Sequence, residues 1–89
     1  MKMRNDDLKK ITEIKQYLLD PPVSFKLDEY AVIYLENAVH ILTAYPGAKD
    51  AIAGLQNIIS DLKNKNIIQE NLRNTLKEAG IGISQLTNK

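Results

Sequence analysis

The chain has 89 residues, 44% of them hydrophobic and none cysteine, which fits one domain with a single core and excludes a disulfide framework or a cysteine-based metal site. Twelve Lys and Arg against eleven Asp and Glu give a formal charge of +1, too even for a protein that wraps nucleic acid by neutralising many phosphates. No stretch approaches the roughly 20 apolar residues that cross a bilayer, and Met1 to Asp7 lead into no apolar run of signal-peptide length, so the expected location is cytoplasmic.

Asn5 followed by Asp6 and Asp7 supplies a capping side chain and two carboxylates where a helix dipole favours negative charge. Leu8, Ile11, Ile14, Leu18 and Leu19 recur at spacings of three and four, which predicts a first helix over 6–19. Pro21 and Pro22 stop it, because each forces the residue before it out of the α region. In the link that follows, Phe25 and Leu27 are too apolar for water and are expected to plug one end of the fold.

Asp28 is the expected cap of a second helix over 28–44. Wound as a helix, Tyr30, Ala31, Tyr34, Leu35, Ala38, Val39, Ile41, Leu42 and Tyr45 cover an arc of roughly 200°, about twice the stripe of an ordinary surface helix. Only Glu29, Glu36, His40 and Thr43 form a polar strip, so this segment should be central and touch two or more neighbours. Pro46 and Gly47 make the next connection very short, which forces the third helix, over 47–64, back against the second. Ala48, Ala51, Ile52, Leu55, Ile58, Ile59 and Leu62 form its inner face. Gly54 lies off that face; a mid-helix glycine costs about 1 kcal/mol relative to alanine, and it marks either a tolerated weakness or the close approach of a partner.

Asn64-Lys65-Asn66 reads as a turn, with Asn66 and Gln69 as a capping box for a fourth helix over 67–79. Ile68, Leu72, Thr75, Leu76 and Ala79 line its inner face, and Gly80 is placed to end it in the left-handed conformation. Residues 80–89 then form a tail whose Ile81, Ile83 and Leu86 either fold back on the core or make a contact site. Four helices with short links and no strand-like alternation predict an all-α domain over residues 1–89, an antiparallel up-down four-helix bundle.

The residues offer little chemistry. His40 is the sole histidine, without the converging ligands a metal needs, and is expected to form a solvated pair with Glu36. No serine sits in a nucleophile elbow, and Gly80-Ile81-Gly82 closes a helix where a phosphate-binding loop would open one. No catalytic residue, cofactor or metal is assigned, and no enzymatic activity is expected. Tyr17, Tyr30, Tyr34 and Tyr45 are expected to pack in the core or at its rim with each hydroxyl at the edge.

Residues 63–89 carry five basic against two acidic side chains, while 21–62 carry two against five. The basic ones include Lys63, Lys65, Arg73 and Lys77, which form either an ordinary solvated face or a surface that steers toward an acidic partner or the anionic inner leaflet as a peripheral membrane contact. A helix-turn-helix across Asn64 to Asn66 would use Arg73 and Lys77. The net charge favours a plain hairpin, and no nucleic acid is expected.

The stretch LENAVHILTAYPGAKDAIAGLQNIISDLKNKNIIQENLRNTLKEAG, preceded by an amphipathic helix, resembles the small cytosolic proteins of Gram-positive bacteria that give immunity to pediocin-like bacteriocins, the enterocin A immunity family. The resemblance spans roughly residues 5 to 80 and lies in the order of apolar faces and turns. It implies an antiparallel four-helix bundle without enzymatic activity. Such a protein recognises, from the cytoplasmic side, a membrane-embedded sugar phosphotransferase permease of the mannose type that a bacteriocin has engaged. It also implies that recognition lies in the C-terminal half, here including Lys63, Lys65, Arg73, Lys77, Ile83 and Leu86. The chain departs from many family members in having only nine residues after Gly80. The alternative is a small helical regulatory or antitoxin-like protein that binds nucleic acid or a partner protein.

Overall fold

Helices dominate because nearly every apolar residue recurs at helical spacing and the prolines lie between the runs. In a computed structural model, which describes residues 2–23, 26–65, 67 and 69–87, four α-helices appear: α1 (Asn5–Leu19), α2 (Leu27–Leu42), α3 (Lys49–Lys63) and α4 (Gln69–Thr87). A 3₁₀ turn, Pro46–Ala48, leads into α3, with Pro46 at its first position as expected from a fixed φ. The helices form a four-helix bundle measuring 34 × 22 × 17 Å, and no strand occurs among the described residues. The Phe25 plug, the Asn66 cap and Ile68 lie outside the described residues.

The most extensive pairings are α1 with α4 and α2 with α3. Their shared core has a regular step. Ile11, Ile14 and Leu18 come from α1; Leu27, Ala31, Leu35, Ala38 and Leu42 from α2; Leu55, Ile59 and Leu62 from α3; Leu72, Leu76, Ala79 and Ile83 from α4. Spacings of three and four keep each set on one helix face, so burying these side chains fixes which way every helix is turned.

The starts of α1 and α2 and the exposure of α2 differ from the sequence expectation. Asn5 is the first residue of α1 and makes no side-chain cap; the capping position is Arg4, whose carbonyl accepts the Leu8 N–H at 2.9 Å. Likewise α2 begins at Leu27, which is buried, so Asp28 lies inside the first turn, where its carboxylate serves another contact. The edge of the 200° arc is also exposed at Tyr30, which is 47% accessible, because α2 has one extensive neighbour, α3, and a lesser one, α1; Ile33, outside that arc, is 54% accessible.

The largest difference is at Gly80. The helix does not end there; it continues to Thr87, and no glycine among the described residues has a positive φ. Gly80 is needed for space, since a Cβ built on it would lie 2.9 Å from Leu19 Cγ and Cδ2 and 3.3 Å from Leu18 Cβ. Close approach of α1 and α4 therefore compensates for the poor helix propensity of glycine. The supposed tail is the last two turns of α4, with Ile83 only 1% exposed and Leu86 packed against the core.

Candidate interaction surface

The basic residues singled out by the sequence gather near the α3–α4 turn and find partners within the chain. Lys65 adopts a positive φ of 59°, rare for a residue with a Cβ, which reverses the chain after α3 while its N–H bonds to Leu62 O at 3.2 Å. From there its Nζ reaches Asp28 Oδ2 at 3.0 Å. Lys63 Nζ lies 3.4 Å from Glu36 Oε2. Arg73 Nη1 donates to the Pro21 carbonyl at 2.9 Å, tying α4 to the α1–α2 link. Exposed ion pairs stabilise little individually. The two lysine contacts strap the turn to α2 and pair two of its positive charges, while Arg73 keeps its charge beside a neutral carbonyl; Lys77 stands exposed further along α4.

Of the three residues expected either to fold back on the core or to make a contact site, Ile83 and Leu86 belong to the packing of α4 on the core, while Ile81 is 44% exposed. Glu36 and His40 share an open hollow between α2 and α3 with Thr43 and Gln56, but all four are exposed and Glu36 is held by Lys63. Among the described residues no group of three or more His, Cys, Asp or Glu is placed to hold a metal ion.

The tyrosines are placed partly as expected. Tyr17 stacks on Tyr34, ring centroids 4.0 Å apart and planes 16° from parallel, joining α1 to α2. The Tyr17 hydroxyl is not at the edge, however: it is buried without a hydrogen-bond partner among the described residues, and burial raises its pKa above the usual value.

A different surface lies along the same two helices. Between α3 and α4 runs an apolar groove of about 190 Å³, lined by Ala51, Gly54, Leu55 and Ile58 on one side and Glu78, Ala79, Gly82 and Ile83 on the other. A Cβ added at Gly54 or Gly82 would meet nothing within 4 Å, in contrast to Gly80. Each of these two glycines costs its helix about 1 kcal/mol relative to alanine, and no contact inside the molecule offsets that. Sequence reading had one clue, Gly54 off the inner face of its helix. The second glycine was assigned to a tail and so was never placed opposite the first.

No family model matches the chain, and neither a curated protein nor a solved structure matches it. No helix among the described residues is long and apolar enough to cross a membrane.

Proposed function

We propose that the chain is a non-enzymatic binding protein of the bacteriocin-immunity type, acting in the cytoplasm at the inner face of the membrane and recognising a sugar phosphotransferase permease engaged by a pediocin-like peptide. The observation that carries this reading is the bundle itself. Four helices occur in the order and with the short links that the resemblance implies, and a strongly apolar recess lies on the two C-terminal helices. Such a surface is made for contact.

The nucleic-acid reading has less support, since Lys63 and Lys65 stand beside Glu36 and Asp28 and leave little unopposed positive charge there to gather phosphates. The direct test is expression in a sensitive Gram-positive strain followed by challenge with a panel of pediocin-like peptides. Survival at concentrations that kill the parent strain is expected for at least one peptide. Equal killing across a broad panel, with the protein verified as folded and abundant, would overturn the proposal.

A further inference from the structure

We propose that the α3–α4 groove docks an amphipathic helix of a partner protein, one whose small or aliphatic face is flanked by Lys or Arg. The inference rests on the chain being a binding protein but not on which partner it binds. Of three glycines inside the α-helices, Gly80 is accounted for by Leu18 and Leu19, whereas Gly54 and Gly82 both open onto this groove with nothing above them. Glycine at such a position lets another backbone come close, which a branched side chain would prevent. Leu55 and Ile83 supply an apolar floor.

Charge selects the occupant. Glu78 is the one ionisable residue lining the groove, and the exposed Asp50 and Asp61, at i−4 and i+7 from Gly54, fall on the same side of α3. The rim is thus acidic, and a helix carrying cations beside its apolar face complements it. A two-fold pairing of two copies through this groove would set the acidic rims against each other, because a two-fold axis brings the same patch from both copies together.

The test uses the full chain, wild type and Gly54→Leu/Gly82→Leu. Leucine at both sites fills the groove while replacing a poor helix former with a good one in open space, so the variant is expected to fold at least as well as wild type. The probe is a model helical peptide of leucine and lysine, with its leucine–glutamate counterpart as control. Amide shifts titrated by NMR should centre on Ala51, Gly54, Ala79 and Gly82, with binding to the folded variant weaker by roughly tenfold or more. Shifts elsewhere, equal binding to the variant, or equal binding of the glutamate peptide would overturn the inference. So would a wild-type dimer in sedimentation that the variant abolishes, which would assign the groove to a second copy. In the challenge assay, a wild type that protects cells but shows no lysine-peptide binding in the groove would sink the groove and leave the immunity reading standing; lysine-peptide binding in the groove by a wild type that protects nothing would do the reverse.

Discussion

Tyr45 and Asp7 hold the two ends of an α1–α2 clamp. The Tyr45 hydroxyl donates to Asp7 Oδ2 at 2.5 Å and accepts the Arg4 backbone N–H at 3.1 Å, while Arg4 Nε lies 3.5 Å from the same carboxylate oxygen. The first turn of α1 is thereby pinned to the corner between α2 and the 3₁₀ turn, and one of the N–H groups preceding the helix is satisfied from a distant part of the chain. Tyr45→Phe keeps the ring packing and removes both bonds. It is expected to lower the urea midpoint and to increase hydrogen exchange in the first turn of α1, with the exchange of α3 amides following only the global loss.

Acid should act through two carboxylates. The Tyr45 hydroxyl bond is the main reason Asp7 sits below the usual carboxylate range, opposed by desolvation and helped by Arg4; for Asp28 the main reason is the bond from Lys65, again opposed by desolvation and aided by backbone N–H groups. With folded values depressed, the unfolded chain binds protons first as pH falls. The stability these groups supply is therefore present at neutral pH and lost below about pH 4 as their folded values are crossed. Urea midpoints measured between neutral and strongly acid pH should drop in that window, and the drop should be shallower in Tyr45→Phe/Lys65→Met.

Gly80→Ala should destabilise although alanine is the better helix former. The added methyl meets Leu19 at 2.9 Å and Leu18 Cβ at 3.3 Å, and while the Leu19 side chain can turn aside, Leu18 is fully buried and fixed. Overpacking of this kind costs about 1–3 kcal/mol, against the roughly 1 kcal/mol gained in propensity. A rise in melting temperature for Gly80→Ala would show that α1 and α4 are less closely seated than described.

Ile83→Ala distinguishes a helix from a loose tail. A side chain 1% exposed within the core should cost about 2–5 kcal/mol on truncation, measured by chemical denaturation. Ile81→Ala, two residues earlier on the opposite face of α4 and 44% exposed, should change stability by less than about 0.5 kcal/mol.

Tyr17→Phe should stabilise the protein. Its hydroxyl is buried without a partner among the described residues, so removing it relieves a desolvation cost of about 1 kcal/mol or more while keeping the stack on Tyr34. A lower melting temperature in the variant would mean that the hydroxyl has a bound partner in solution.

The sequence made α3 legible almost to the residue, since Leu55, Ile59 and Leu62 sit on one clean stripe and Pro46 marks its approach. Gly80 could not be read correctly from its neighbours. A glycine after a run of helical residues looks the same whether it ends the helix or makes room for Leu18 and Leu19, which come from the other end of the chain. The same limit applied to the basic turn: Lys63, Lys65 and Arg73 are conspicuous locally, but Glu36, Asp28 and the Pro21 carbonyl that engage them lie on other elements. Likewise Asn5 has the side chain of a cap, yet the Tyr45 contact on Arg4 sets where α1 begins. In each case local chemistry named the residue and tertiary packing chose its use.

The pairing of α1 with α4 has a further consequence for how the molecule is made. During synthesis the apolar stripe of Ile11, Ile14 and Leu18 emerges first and its principal mate emerges last, so the nascent bundle stays open along one flank until α4 clears the ribosome. Closure then waits on contacts between segments far apart in the chain, the kind that slow folding. Until that moment the newborn chain is open to chaperones and to stray association, and a stalled ribosome would hold it there.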